Sequence, residues 1–147
     1  MARVLADGFA ATPVAVVLHS GVRRTERLAA MIATRTGAEL RCDPRWRERD
    51  FGAWEGRSWQ AIWRETGDQM DGMLTDPHGF RPGGGETTAD LWRRASAAWH
   101  ALPMTGPTVV VAHGGPIAVA RAQASGRSMT AMIDLIPACG AIVTLAR

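Results

Sequence analysis

The stretch that most limits how this chain can fold is Thr108–Pro116, which reads TVVVAHGGP. Its first four residues are β-branched, which favours a strand buried on both faces of a sheet. His113 follows that strand closely, and the run IAVARAQA after Pro116 is typical of a helix that begins at the proline. A histidine is therefore predicted at the carboxyl end of a buried strand, beside a helix N-terminus that favours an anion.

Strands and helices alternate along the rest of the chain, which predicts a mainly parallel sheet covered by helices on both faces. A length of 147 residues suits one domain with one core, so residues 1–147 are expected to form a single three-layer α/β/α domain. The predicted helices are Ala2–Ala11, Val22–Thr36, Trp59–Thr66 and Thr88–Leu102, and the predicted strands are Val14–Leu18, Glu39–Cys42, Thr108–Val111 and Ala141–Leu145.

The composition favours a small phosphorylated ligand over a polynucleotide or a membrane. The net charge is +3, but all seventeen basic residues are arginines scattered along the chain, which argues against a nucleic-acid surface. Arginine binds phosphate well through its rigid fork of donors. With no long apolar run and no leader, a cytoplasmic location is expected. Cys42 and Cys139 are expected to be reduced, buried thiols, and no metal or other cofactor is predicted.

Three side chains with complementary chemistry lie at strand ends or in an unusual loop. Arg24 follows the strand at Val14–Leu18, Glu48 lies in the charged, tryptophan-rich segment Arg45–Gly56 (hereafter the aromatic loop), and His113 follows the later strand. A cation, a carboxyl group and an imidazole are what cleavage of a phosphate ester requires. Each one alone also has a plain interpretation, because Glu48 could be a solvated ion pair, Arg24 an exposed helix residue and His113 a packed histidine.

Four segments in order carry a family resemblance: SGVRRTERLA, RWRERDFGAWEG, PGGGET and VVVAHGG. They resemble successive motifs of the histidine phosphatase superfamily, which includes the phosphoglycerate mutases, and the phrase DPHGFRPGGGET is most similar to small bacterial enzymes such as α-ribazole phosphatase. The resemblance implies a phosphoglycerate mutase-like fold and a phosphatase that acts on a small phosphomonoester through a phosphohistidine.

Carried onto this sequence, the resemblance assigns a role to each candidate. Arg24 would hold the transferred phosphoryl group, Glu48 would protonate the leaving group, and His113 would bind the phosphoryl oxygens. Ser20 and Gly114 would complete the phosphate or substrate site. Separately, Glu86 in the PGGGET motif is interpreted as a helix cap rather than as a ligand for substrate.

One motif of the family has no match in this sequence. Members begin with a central strand that ends in Arg-His-Gly and supplies the nucleophile, and no Arg-His-Gly occurs in these 147 residues. We therefore expect an N-terminally truncated domain that lacks the first, central strand, with little or no activity alone. The alternative is a non-catalytic pseudophosphatase that binds a phosphorylated small molecule.

The missing strand has two further expected consequences. The sheet should show a gap or a re-paired centre, and an exposed strand edge could allow a homodimer. His19, in VVLHSG, is interpreted as a pocket-wall or core histidine rather than as a replacement nucleophile.

Overall fold

The computed structural model describes residues 1–146, and three parallel strands form its centre. The strands are β1 (Val16–His19), β2 (Glu39–Cys42) and β3 (Thr108–Val111), in the spatial order β2–β1–β3. β1 pairs continuously with both neighbours, with Val17 opposite Leu40 on one side and Val109 on the other. The part of the sheet within residues 1–146 therefore has no gap between β1 and β3.

Helices cover both faces of this sheet, as the alternating pattern predicts. On one face Val17 packs with Ala29 and Ile32, together with Val109 and Val111 of β3. On the other face the side chains that pack together come from β3, from the helices that flank it and from the aromatic loop. They are Val110, Ala112, Ala98, Trp99, Ala120 and Trp46. The three-layer α/β/α arrangement is confirmed, and all four residues of β1 are buried at its centre.

The helix boundaries follow the hydrophobic pattern closely, and the predicted helix Trp59–Thr66 is found with those bounds. The last helix begins at Gly114, two residues before the predicted start at Pro116. Proline is tolerated in this first turn because the N–H groups there have no partner within the helix. The α-helices are α1 (Ala2–Asp7), α2 (Arg23–Thr36), α3 (Trp59–Thr66), α4 (Gly72–Thr75), α5 (Thr88–His100) and α6 (Gly114–Ala124), and the 3₁₀ turns are Pro44–Trp46, Gly52–Trp54, Gly67–Asp71, Pro82–Gly84 and Met129–Leu135.

Two sequence predictions about the fold are wrong, namely the strand at Ala141–Leu145 and the burial of the two cysteines. Ala141–Leu145 forms no strand, because its β-branched side chains supply propensity but no ladder partner. Leu145 instead packs by its side chain against the buried cluster that contains Trp46 and Trp99. Cys42 and Cys139 are free thiols, as expected, but both are exposed rather than buried. Within residues 1–146, no helix has the length and apolar character needed to cross a bilayer.

A backbone-to-backbone contact fixes the aromatic loop against the glycine segment, Pro82–Gly85. A Cβ atom built on Gly83 would overlap the carbonyl oxygen of Phe51, and one built on Gly52 would overlap the carbonyl of Gly83. The N–H of Glu86 donates to the carbonyl of Asp50 at 2.8 Å. The run of glycines in PGGGET therefore lets two chain segments approach more closely than side chains would allow.

Two alanine substitutions test this contact. Gly83 and Gly84 both have positive φ, 59° and 79°, but a Cβ on Gly84 would meet no atom of residues 1–146 within 4 Å. We expect Gly84→Ala to lower the free energy of unfolding by about 1 kcal/mol, from backbone strain alone. Gly83→Ala should cost roughly 2 kcal/mol more, because the two segments must also separate. Urea denaturation of both variants measures the difference, and equal losses would contradict the close contact.

Candidate functional site

His113 is the last residue of the short segment between β3 and α6, and a chain of hydrogen bonds fixes the orientation of its ring. Its Nε2 lies 2.9 Å from the hydroxyl of Ser20, which in turn lies 2.7 Å from the hydroxyl of Thr25. The Thr25 hydroxyl donates to the carbonyl of Val22 at 2.8 Å. On the opposite side of the ring, Nη2 of Arg24 lies 2.9 Å from Nδ1. Both nitrogens of the imidazole are therefore engaged.

The hydrogens available to this chain fix its direction. The single hydroxyl hydrogen of Thr25 goes to the Val22 carbonyl, so Thr25 must accept from Ser20. Ser20 then has no hydrogen left for His113 and must accept from Nε2–H. Nδ1 consequently carries the lone pair, and it accepts from the guanidinium of Arg24, which can only donate. His113 is thus neutral and held in the Nε2–H tautomer.

The electrostatic surroundings of His113 favour the same neutral form. Burial lowers the pKa of His113 below its ordinary value, and the positive charge of Arg24 lowers the pKa further. The carboxyl group of Glu48 acts in the opposite direction and raises this pKa, and Arg94, the weakest of the four influences, lowers it. The side chain is 8% exposed, whereas Arg24 is exposed to solvent. The ring is therefore buried, and the residue that contacts its Nδ1, Arg24, is the one that is exposed to solvent.

The side chain of Glu48, from the aromatic loop, contacts the N-terminus of α6 close to His113. The N–H of Gly115 donates to both oxygens of its carboxyl group, at 3.2 and 3.3 Å, and the N–H of Arg49 donates to Oε1 at 2.9 Å. A Cβ atom on Gly115 would overlap Oε1, so glycine is needed there for the carboxyl group to fit. The N-terminus of α6 therefore donates to a carboxyl group of the chain itself.

Arg94 of α5 holds the backbone that carries Glu48. Its guanidinium forms a two-pronged ion pair with Glu86, with both contacts at 2.7 Å. It also donates to the carbonyls of Arg45, Arg47 and Glu48, at 2.7 to 2.9 Å. A planar fork of five donors suits this arrangement, in which one side chain binds three loop carbonyls and a carboxylate.

The interpretation of Glu86 as a helix cap is wrong. Thr87 is the N-cap residue of α5, and Asp90 completes the capping box by accepting from the Thr87 N–H. Glu86 instead pairs with Arg94, whose place in the site carried no signal in the sequence. Thr25 was also missed, because a threonine in the first turn of a helix resembles ordinary helix sequence.

The structure brings Arg24, Glu48 and His113 to one edge of the sheet. Gly114 is the first residue of α6, and a Cβ there would lie 3.7 Å from Oε2 of Glu48. Ser20 is fully buried, and its hydroxyl is engaged by His113 and Thr25. It therefore lies behind the imidazole, where it contacts the ring rather than the open side of the site.

His19 also lies at this edge, at the end of β1, but it is turned into the protein. It is buried, and its Nδ1 accepts a hydrogen bond from the N–H of Gly21. Gly21 has φ of 80°, which a residue with a side chain rarely adopts. This contact closes the turn after β1, and it supports the interpretation of His19 as a core histidine.

Sequence comparison relates the whole described chain to one family. A profile of the "Histidine phosphatase superfamily (branch 1)" matches residues 1–146. A protein described as "Probable phosphoglycerate mutase GpmB" from Yersinia enterocolitica is 32% identical over 101 residues, which are 67% of this chain and 47% of that protein. Its counterpart in Yersinia pestis is 31% identical over the same length. The chain thus spans about half the length of the curated relatives it matches.

Solved structures of similar fold agree with the profile match. A mycobacterial glucosyl-3-phosphoglycerate phosphatase in complex with inorganic phosphate is 28% identical with a TM-score of 0.71, and the match covers 89% of this chain and 68% of that one. A structure described as mycobacterial hydrolase 1 is 26% identical, with a TM-score of 0.74 over 91% of this chain and 67% of that one. The α-ribazole phosphatase of Shigella flexneri, at 20% identity, shares the fold with a TM-score of 0.77 over 90% of this chain and 67% of that one.

The hydrogen-bond chain behind His113 can be tested by ¹⁵N NMR of the imidazole. The wild-type ring should show the Nε2–H tautomer and should protonate at lower pH than a free histidine, in line with its lowered pKa. Thr25→Val should weaken this tautomer preference, because Ser20 is then free to donate its hydrogen to Nε2. Thr34→Val is the matched control, since Thr34 is exposed on the same helix and its hydroxyl donates to the Ala30 carbonyl. A Nδ1–H tautomer in the wild type would contradict the deduced direction.

Proposed function

Because the chain belongs to the histidine phosphatase superfamily, we propose that its site binds the phosphoryl group of a small phosphomonoester and serves its hydrolysis. The observation that carries this proposal is the contact at 2.9 Å between the exposed guanidinium of Arg24 and the buried ring of His113, beside the carboxyl group of Glu48. The three groups lie on different chain segments and converge only through the fold.

Each group has a definite task when a phosphoryl group is bound. Arg24 neutralises the equatorial oxygens, and Glu48 exchanges a proton with the leaving oxygen. His113 presents a lone pair at Nδ1 and must take up a proton before it can donate to a phosphoryl oxygen. The negative charge of the ligand favours that uptake by raising the pKa of the imidazole. Ser20 and Thr25 then act as positioning residues for the ring.

The covalent step of the family requires a nucleophilic histidine, which the resemblance places in Arg-His-Gly. The only histidine at the end of β1 is His19, and its Nδ1 is engaged by the Gly21 N–H. We therefore propose that the 147 residues alone bind the phosphoryl group with little turnover. A pseudophosphatase that only binds its ligand is the second candidate, and the direct contact between Arg24 and His113 is compatible with it.

The substrate is proposed to be a small phosphorylated metabolite. The names of the relatives, a phosphoglycerate mutase and a glucosyl-3-phosphoglycerate phosphatase, support this class. We further propose that residues 1–147 act as one domain, which the profile match over residues 1–146 supports. We also propose that the protein works in the cytoplasm, where such metabolites occur.

Calorimetry with inorganic phosphate tests the binding site. Arg24→Gln should weaken binding about tenfold or more, because one charge-assisted contact is lost. Arg64→Gln is the control. Arg64 is an exposed arginine on α3, so this substitution removes the same charge from a different part of the surface. Absence of phosphate binding by the wild type would contradict the proposal.

Release of p-nitrophenol from p-nitrophenyl phosphate then tests the proposed lack of turnover. Little release, unchanged by Glu48→Gln, is the expected result for the chain alone. Efficient release that Glu48→Gln abolishes would show a complete hydrolase and would contradict the proposed lack of turnover.

We also propose that the free edge of β3 pairs with a second copy of the chain. Within residues 1–146, β3 pairs only with β1, and its sequence TVVV contains no charge or proline to prevent edge pairing. β2, at the opposite edge, instead carries the Glu39–Arg41 ion pair. Sedimentation velocity should show a dimer at raised concentration, and Leu40→Lys on β2 should leave it intact. A monomer at all concentrations, or loss of the dimer in Leu40→Lys, would contradict the use of the β3 edge.

A further inference from the structure

An isoleucine side chain lies close to the carboxyl group of Glu48 at the proposed phosphoryl site. A Cβ atom built on Gly114 would lie 3.1 Å from Cγ2 of Ile136 and 3.7 Å from Oε2 of Glu48. An apolar methyl group and a carboxyl oxygen therefore adjoin the same small space next to Gly114. Ile136 is not one of the groups to which the proposed hydrolysis assigns a task.

The backbone that carries Ile136 is attached to α6, the helix whose N-terminus donates to Glu48. Ile136 directly follows the 3₁₀ turn Met129–Leu135. The carbonyl of Leu135 accepts a hydrogen bond at 2.6 Å from Nη1 of Arg121, which belongs to α6. Met132 of the same turn is buried in a cluster with side chains of α5 and α6. The turn is therefore fixed to the helix immediately before Ile136.

Although this backbone is held in place, the Ile136 side chain is 48% exposed. A single exposed apolar side chain is ordinary on a protein surface and does not by itself indicate a function. Ile136 differs because its Cγ2 methyl adjoins a carboxyl group to which we assign a proton transfer. Apolar surface around a few convergent polar groups is the usual construction of a small-molecule site. Since the turn is already ordered, contact with a ligand costs little further conformational entropy.

The task proposed for Glu48 limits what can occupy the space next to Gly114. A proton passes between Glu48 and the leaving oxygen only when the two groups are within hydrogen-bond reach. The carbon atoms bonded to the leaving oxygen must then lie close to the carboxyl group, in the space that Cγ2 of Ile136 adjoins. Contact there removes apolar surface of both partners from water, which favours binding.

We propose that Ile136 is a specificity-determining residue, whose side chain contacts the carbon atoms next to the ester oxygen of the substrate. This inference rests on the proposed function, because it takes Glu48 as the group that exchanges a proton with the leaving oxygen. The site then distinguishes ligands by the hydrocarbon next to the phosphoryl group, in addition to the phosphoryl group itself.

Two non-hydrolysable phosphonates that differ only in their alkyl chains test the inference. Methylphosphonate and propylphosphonate present the same acidic group, and the longer chain of propylphosphonate can lie against Ile136. By calorimetry, the wild type should bind propylphosphonate about fivefold more tightly than methylphosphonate. Ile136→Ala should lose most of this preference while binding methylphosphonate within about twofold of the wild type. Ile136→Leu, which restores the apolar surface, should keep most of the preference.

Met104→Ala is the matched control, because it also shortens an exposed apolar side chain. Met104 is 79% exposed and lies in the segment before β3, at the amino ends of the strands and therefore at the opposite edge of the sheet from the site. This variant should keep the full preference for propylphosphonate. Because each variant is measured with both ligands, any difference in ionisation between the two phosphonates cancels in the comparison between variants.

Each contrary result overturns a defined part. Equal binding of the two phosphonates by the wild type, or a preference that Ile136→Ala retains, would overturn the role of Ile136 and leave the phosphoryl site standing. If the wild type bound neither phosphonate, the proposed function would fail, and the role of Ile136 would fail with it. If Arg24→Gln left methylphosphonate binding unchanged while Ile136→Ala still removed the preference, the contact at Ile136 would stand and the task assigned to Arg24 would fail.

Discussion

The direct pairing of β1 with β3 is the constraint on which the rest of this structure depends. It sets His19 opposite Val111, so that the residues just beyond both strands emerge at one edge. Ser20 and His113 then meet at hydrogen-bond distance although they are 93 positions apart in the chain. Parallel strands place their carboxyl ends together, and the site is a local consequence of that rule.

The second organising element is the guanidinium of Arg94. Loops carry high conformational entropy, and a functional loop needs a rigid support. Arg94 binds three carbonyls of the aromatic loop and is itself held by Glu86. The close backbone contact at Gly83 reinforces the same attachment. Glu48 is therefore presented from a segment without regular strand or helix, yet its backbone is fixed from both sides.

The sequence was sufficient for features that depend on local pattern or on motif. The parallel sheet, the helices and the convergence of Arg24, Glu48 and His113 all followed from periodicity and resemblance. Contacts between side chains that are distant in the sequence could not be predicted from periodicity or motif. No pattern shows that Glu86 pairs with Arg94, or that Ser20 contacts the ring of His113. The strand that was predicted at Ala141–Leu145, and that the structure does not contain, shows the same limit. A high β propensity does not supply a neighbouring strand to pair with.

Because Gly115 has no side chain, the carboxyl group of Glu48 can lie directly against the N-terminus of α6. The carboxyl group of Glu48 accepts hydrogen bonds from the Gly115 N–H. The group that we propose as the proton donor therefore also anchors the first turn of α6. A neutral carboxyl is a poorer acceptor than a carboxylate, so each change in its protonation alters how firmly that turn is anchored. The proton exchange proposed for Glu48 would therefore be coupled to the anchoring of the first turn of α6.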